Sequence, residues 1–267
     1  MTATNRSGNP GSAPTFSIIT VVFNGEELLR GTFESVRQQS WPHIEYIIVD
    51  GASTDGTVAI IREYAALMPR LKWMSEPDQG LYDAMNKGLR LATGDFIQFL
   101  NCGDHLHSSE TISAIASLAT DDTDIIYGET LLVDDSRRPA GMMSELSTRK
   151  LPAELHWRQY LGGMRVIHQS FIARRTIAPP YIEGNLCADY DWCIRILKKS
   201  RKAVNAGIVI SDYLMGGVSK KRHRQSLQDR FHVMRTHFGL FLTLAAHAWI
   251  LLRAAIHRLF RAGKPRY

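Results

Sequence analysis

The sequence predicts an α/β fold: a Rossmann-like, mostly parallel central sheet flanked by helices, with a helical extension at the C-terminal end. Three observations predict it. Short apolar, β-branched runs alternate with stretches of helical period across residues 16–100, the pattern of right-handed βαβ units. Acidic residues, Asp50, Asp78 and Asp104, follow the second, third and fourth of these runs, at the sheet edge where open α/β proteins bind ligands. An apolar content of 45% in 267 residues is enough for a sizeable core.

Each element has its own justification. Residues 16–23 (FSIITVVF) are a β-branched run closed by Asn24-Gly25, a buried strand and its turn. Residues 26–39 place Leu28, Leu29, Phe33 and Val36 at helical spacing. A second strand, 44–49 (IEYIIV), ends in the polar stretch DGASTDG at 50–56. A helix at 57–67 and a short strand at 71–74 follow. Residues 81–92 bring Leu81, Ala84, Met85, Leu89 and Ala92 to one helical face, and 96–100 (FIQFL) read as a buried strand. That strand ends in Asn101-Cys102-Gly103-Asp104, where Asn and Gly supply a turn. Beyond it the pattern predicts a helix at 108–118, a strand or hairpin at 124–133 and a mobile polar connection at 136–150. A strand at 167–173 and a helix at 190–199 complete the prediction.

The formal charge of +6 is unevenly spread: residues 1–194 carry a net −8 and residues 195–267 a net +14. An acidic body can use carboxylates for chemistry, while a basic tail must meet something anionic. Three cysteines, Cys102, Cys187 and Cys193, form no CxxC pair and fit a reducing cytosol. Residues 1–15 are polar, rich in Gly, Ser and Pro, and predict a disordered lead-in without the apolar run of a signal peptide. No GxGxxG follows the first strand and no GxxxxGKS or GxxxxGKT occurs, which argues against a Rossmann dehydrogenase and a P-loop NTPase. A nucleotidyltransferase would need more Arg or Lys in its first loop than NGEELLR offers. Carboxylates recurring after strands suit a nucleoside diphosphate instead. Some accept from base or ribose, and one holds a divalent cation that neutralises the diphosphate.

Three stretches carry a resemblance: FSIITVVFNGEELLRGTFESVRQQSWPHIEYIIVDGASTDGT, SEPDQGLYDAMNKGLRLATGDFIQFLNCGD and ADYDWCIRILK. They resemble the family 2 nucleotide-sugar glycosyltransferases of the GT-A fold, above all bacterial enzymes of exopolysaccharide and O-antigen assembly, including the colanic-acid type. The resemblance implies an inverting hexosyltransferase, a nucleoside-diphosphate sugar donor, a lipid-linked glycan acceptor and Mn²⁺ or Mg²⁺ as cofactor. By position it implies that Phe23 and Asn24 flank the base, that Asp50 accepts from it, and that Asp78 lines the same pocket. Asn86 and Lys87 then face the diphosphate, Asn101 and Gly103 belong to the donor loop, and Asp104 is the metal-binding carboxylate. Asp189 falls where the family keeps its catalytic base, with His168, Asp191 and Trp192 on the acceptor side and Asp191 in a supporting role. Two departures stand out. Asn101 and Gly103 occupy places where the metal motif usually carries another carboxylate, and Met85 stands where many members have Arg, leaving Lys87 to supply the charge.

Taken singly, these residues have plainer readings. Asp50 and Asp55 suit turns, Asp189 suits a helix N-cap, His168 suits a satisfied core histidine and Cys102 a small filler. Their order on one chain favours the transferase. The missing carboxylate motivates one rival, a non-catalytic nucleotide-binding or scaffolding relative. Residues 238–252 (FGLFLTLAAHAWILL) carry no fixed charge and sit between Arg230 and Arg235 on one side and Arg253, Arg258, Arg261, Lys264 and Arg266 on the other. At ~22 Å such a helix falls short of a ~30 Å hydrocarbon core. It predicts an interfacial helix on anionic lipid at the cytoplasmic face of the membrane. Packing on the protein's own core, or on a twin chain in a homodimer, is the alternative, and no nucleic-acid module is recognisable. The predicted organisation is a lead-in at 1–15, a GT-A domain at 16–222 and a basic amphipathic helical extension at 223–267.

Overall fold

The computed structural model describes residues 13–147, 150–216 and 222–260. Its hub is β1 (Phe16–Val22), buried along its whole length. β2 (Ile44–Asp50) and β4 (Phe96–Phe99) pair parallel on its two sides, and β3 (Leu71–Ser75) pairs parallel with β2. Beyond β4 come β8 (Phe171–Arg174), β6 (Ile125–Val133), β9 (Ala203–Leu214) and β5 (His105–Leu106), with β7 (Pro139–Met142) on the side of β6. The sheet is therefore mixed: β8 runs antiparallel to both β4 and β6, while β6 and β9 are parallel. The chain steps outward from β1 to β3, then returns to the far side of β1 with β4. The carboxyl ends of β1 and β4 thus form a topological switch point, the place where such sheets open a ligand crevice.

Period-two alternation along β1 divides the core. Phe16, Ile18 and Val22 face α1 (Glu26–Arg37) and α2 (Thr57–Leu67), which contribute Leu29, Phe33, Ile61 and Tyr64. Phe33 stacks on Tyr64 with centroids 4.3 Å apart, and burying one such ring is worth about 1.5–3 kcal/mol. Ile19 and Val21 face the other layer, with Met85 from α3 (Leu81–Leu91) and Trp192 from α6 (Ala188–Lys199).

Several predicted elements change on folding. The helix at 108–118 contracts to α4 (Thr111–Ala116), because Ser108 turns back to accept and donate around the Thr111 hydroxyl. The polar connection at 136–150 holds β7 and a one-turn α5 (Met143–Leu146), while residues 148–149 lie outside the described residues. The Asp134 carboxylate accepts the Ser136 and Arg138 N–H groups and so closes the hairpin that lays β7 on β6. Residues 168–170 form a 3-10 turn ahead of β8, so His168 is not on a strand. Of the predicted lead-in, residues 1–12 lie outside the described residues; Pro14 and Thr15 are tied to Trp41, Asp95 and Phe96.

Two helices close the chain, α7 (His223–Phe238) and α8 (Leu240–Phe260), joined at Gly239, whose φ of +80° suits a residue without Cβ. α7 is anchored to the body. Val233 and Met234 are buried, Phe238 stacks on Trp157 at 5.5 Å, and Asp229 accepts the Leu186 N–H at 2.8 Å. Asp191 makes the strongest tie: it accepts Arg195 Nε at 2.5 Å and pairs with His237 Nε2 at 2.8 Å. Burial pushes the Asp191 carboxyl up, but His237 and Arg195 outweigh it and hold it below the usual range. A depressed carboxylate stabilises above its unfolded pKa, and that stability disappears as pH falls through the folded value. Asp191→Asn should therefore destabilise by about 3 kcal/mol at pH 7, the low end for breaking a buried pair because Arg195 is partly exposed. Urea melts at pH 7 and pH 3 check this: the gap between variant and parent should narrow at the lower pH.

Candidate active site

At the end of β1 the chain turns through Asn24, a non-glycine residue with φ +49°. Its side-chain oxygen accepts the Thr54 N–H at 2.9 Å, and its own N–H donates to Ser53 Oγ at 2.7 Å. The Glu26 carboxylate accepts the Gly56 N–H at 2.9 Å. These bonds lock the loop after β1 to the loop after β2. Phe23, 64% exposed, stands at their edge. Gly51 explains how it meets Asp78: a Cβ there would fall 2.4 Å from Asp78 Oδ2 and 3.4 Å from a Phe23 ring carbon. Asp78 and Phe23 thus converge over bare backbone, an aromatic face beside a carboxylate oxygen, which suits a flat base carrying an N–H donor. The other Asp78 oxygen accepts the Gly80 N–H at 2.8 Å.

Asp50 differs from the expectation. It is fully buried, and its oxygens accept from Ser53 N, Ser53 Oγ and Ser75 Oγ at 3.0, 2.5 and 2.6 Å. It shapes the pocket from beneath and does not reach a base in this arrangement. Asn86 and Lys87 are likewise committed inside the protein. The Asn86 amide bonds both the N–H and the carbonyl of Tyr181, at 2.7 and 3.0 Å. Lys87 donates to the Pro77 carbonyl at 2.7 Å and lies 3.0 Å from Glu76 and 3.4 Å from Asp83. It straps the loop carrying Asp78 to α3, and its charge is already matched.

The loop after β4 sends its groups in four directions. Asn101 Nδ2 lies 3.3 Å from His168 Nε2, and burial pushes the Cys102 thiol up to about 12. The Gly103 N–H donates to Thr32 Oγ1 at 2.9 Å, while its carbonyl accepts Arg137 Nη1 at 2.6 Å. Asp104, 3% exposed, accepts Gln169 Nε2 on one oxygen at 2.7 Å and the Leu214 N–H on the other at 2.9 Å. Burial pushes its carboxyl up to about 6, and those two donors oppose the rise. A cation on Asp104 would have to strip a buried amide or the end of β9 of its partner. The metal-ligand role implied by the resemblance does not fit this carboxylate.

Asp189 lies in the first turn of α6, where the helix dipole favours negative charge. One oxygen accepts the Tyr190 N–H at 2.8 Å and the Tyr82 hydroxyl at 3.3 Å; the other is 3.4 Å from His168 Nδ1. Asn101 donating to Nε2 leaves the His168 proton on Nδ1, close to Asp189 as an electrostatic contact rather than a formed hydrogen bond. The side chain of Asp189 is 22% exposed. Burial pushes its carboxyl up, but His168, Tyr190 N–H and Tyr82 together hold it below the usual range. The result is an ionised carboxylate beyond the switch point that still reaches solvent. The other two residues expected on the acceptor side belong elsewhere. Trp192 is fully buried, stacked on Tyr181 and donating to the Pro179 carbonyl at 2.8 Å, and Asp191 braces α7. Gln169, Tyr82 and Arg137 escaped the sequence reading. Gln169 stands beside His168 within IHQSF, while nothing in the local pattern marks Tyr82 or Arg137.

A sheet switch point with an aromatic ring and a carboxylate in one loop cluster and an ionised carboxylate at the head of α6 is an arrangement suited to glycosyl transfer on a GT-A fold. Residues 17–178 match the family described as Glycosyl transferase family 2, and the chain belongs to it. A Mycobacterium bovis protein named "PGL/p-HBAD biosynthesis glycosyltransferase" is 29% identical over 92% of this chain and 96% of its own length. EpsH of Bacillus subtilis is 34% identical over 42% of this chain and 33% of its own length. Among solved structures, S. aureus TarS in complex with UDP-GlcNAc superposes with a TM-score of 0.69 at 15% identity, covering 93% of this chain and 76% of TarS. The mannosyltransferase PcManGT from Pyrobaculum calidifontis, in complex with GDP-Man and Mn²⁺, gives 0.61 at 17% identity, covering 96% and 78%. Both show the fold.

His168 tunes the candidate base, so its removal has a signed effect. In His168→Ala, Asp189 loses a partner that favours its ionised form, and its pKa rises. The acid limb of the pH–rate profile should move to higher pH, with the maximal rate reduced less than in an Asp189 variant. An unmoved limb would separate the two residues.

Proposed function

We propose that this chain is an inverting hexosyltransferase that moves a sugar from a nucleoside-diphosphate donor to a hydroxyl of a lipid-linked glycan in bacterial surface polysaccharide assembly. The observation that carries the reading is Asp189: an ionised, partly exposed carboxylate beside His168 that accepts from Tyr82 of α3, the helix that follows the Asp78 loop. The relative named for PGL/p-HBAD biosynthesis supports the glycan context, and TarS with UDP-GlcNAc and PcManGT with GDP-Man support the donor class.

The chemistry follows from these positions. Phe23 stacks on the base and Asp78 Oδ2 accepts its N–H. The acceptor oxygen bonds to the anomeric carbon as the bond from that carbon to the diphosphate oxygen breaks, and the electron pair leaves with the diphosphate. Asp189 takes the hydroxyl proton, a contribution typically worth about 10²–10⁴-fold. His168 and Tyr82 are positioning residues that hold the carboxylate toward the acceptor. Asp189→Asn preserves size but cannot take the proton. Donor affinity should stay nearly constant while kcat falls by about 10²–10⁴-fold. Loss of donor binding in a folded variant would place Asp189 on the donor and sink this mechanism.

The setting we propose is the cytoplasmic face of a membrane. Among the described residues no helix is long and apolar enough to cross one. α8 instead presents Phe241, Leu242, Leu244, Trp249 and Leu252 to solvent, Phe241 at 86%, while Thr243 is buried beneath. Apolar and Trp side chains backed by a tail of net +14 suit an anionic lipid surface. Replacing both Phe241 and Trp249 by Ser should weaken binding to phosphatidylglycerol vesicles by more than about tenfold, since each ring contributes about 1.5–3 kcal/mol when buried. A parent chain that ignores vesicles and elutes as a dimer would instead assign this face to a second copy.

A further inference from the structure

We propose that this chain binds its nucleotide-sugar donor without a divalent cation, with Arg137 as the fixed positive charge at the 101–104 loop. The inference rests on the donor reading above and goes beyond it.

The ligand set is the first argument. Mg²⁺ and Mn²⁺ are held by oxygen ligands, usually one or two carboxylates together with the substrate phosphates. The loop after β4 has a single carboxylate, and both Asp104 oxygens are engaged inside the core. Asn101 turns its amide nitrogen toward His168 and offers a neutral oxygen, without a partner among the described residues, where the motif usually has a carboxylate. At Gly103 the space is filled as well as the carboxylate missing. A Cβ there would fall 3.0 Å from Leu214 Cδ2 and 3.3 Å from Leu28 Cδ1. Methyl groups occupy the direction in which a side chain at this position would extend, and its φ of +95° disfavours any residue with a Cβ.

Arg137 is the second argument. It reaches from the β6–β7 hairpin to the Gly103 carbonyl, a bond of 2.6 Å, and its own backbone sits at φ +62°. A non-glycine residue held in that region is an outlier of the kind that collects at functional sites. Its other terminal nitrogen, Nη2, is buried with no hydrogen-bond partner among the described residues. Burial pulls its guanidinium below its usual value, and Asp212 and Asp104 oppose that fall without cancelling it. A guanidinium stays charged and presents a planar fork of donors, the geometry that binds phosphate oxygens. An idle buried donor on a fixed cation, one hydrogen bond from the donor loop, has an evident use in a diphosphate.

Calorimetry with UDP and GDP as probes tests this, in excess EDTA and again with Mn²⁺. The expected result is an affinity for the preferred nucleotide that agrees within about twofold between the two conditions. Arg137→Gln, which is shorter and neutral but keeps an amide donor, should bind about tenfold more weakly in both. Should that variant melt early, Arg137→Lys retains the charge and should recover part of the affinity. Asp104→Asn adds a check, because the buried Gln169 Oε1, without a partner among the described residues, can turn to accept from the new amide. Binding should survive it, whereas a metal ligand would be lost. A tenfold or greater loss in EDTA overturns cation independence. Undiminished binding by a folded Arg137→Gln removes Arg137 from the proposal. Failure of either nucleotide to bind under any condition overturns the donor reading, and this inference with it.

Discussion

A carboxylate taken out of water must be satisfied from within, and the site is assembled around one such group, Asp104. Its two donors come from segments distant in sequence, Gln169 in the turn before β8 and Leu214 at the end of β9. Removing either would leave a buried acceptor short, so the carboxylate fixes both segments against the end of β4. The consequence reaches one residue further. In the turn 168–170, three successive side chains point three ways: His168 to Asn101 and Asp189, Gln169 to Asp104, and Ser170 to Thr130 and Ser211. With Gln169 and Ser170 both anchored, His168 has little freedom, and the Asp189 carboxylate beside it inherits that restraint. In the proposed reading, Asp104 bears on the reaction through position rather than through a metal.

The nucleotide side is built by the same logic of satisfied polar groups. Asn24, Glu26, Asp50 and Asp55 each bond backbone N–H groups or hydroxyls of the 50–57 loop or its neighbours. Four polar side chains therefore make a rigid rim rather than a set of ligands. What remains for a ligand is the Phe23 face and one oxygen of Asp78. The pocket is small in chemical content but well fixed, which favours binding by lowering the cost of ordering.

How much of this the sequence discloses follows from the range of each interaction. β1 to β4 and α1 to α3 are legible to within a residue or two because their periods are local and their turns carry Asn, Gly and Asp. β9 is not, since its partners in β6 lie about eighty residues earlier and its alternation breaks at Gly207, which has a positive φ. The candidate residues divide in a similar way. Asp189 and His168, which the resemblance assigns to the acceptor side, face each other. Asp104, Asp50, Asn86 and Lys87 turn their side chains inward. Spacing specifies which element carries a residue; the direction of a side chain in a turn depends on the partners tertiary packing offers. For Asp104 the deciding feature is the left-handed backbone of Gly103 immediately before it.

The C-terminal helices join this framework through α6. Asp189 and Asp191 are two residues apart, about 200° around a helix, so one faces the crevice and the other faces α7. The first is held by His168 and Tyr82, the second by His237 and Arg195. α7 then continues through Gly239 into α8, whose apolar residues remain exposed. A chain of contacts therefore runs from the exposed face of α8, through the His237–Asp191 pair, to the helix turn that carries the ionised carboxylate. On a lipid surface, as proposed, this arrangement would hold the Asp189 carboxylate at a set distance from the bilayer, where a lipid-linked acceptor would also be confined. The last link in that chain of contacts is covalent, since Asp189 and Asp191 share one turn of α6.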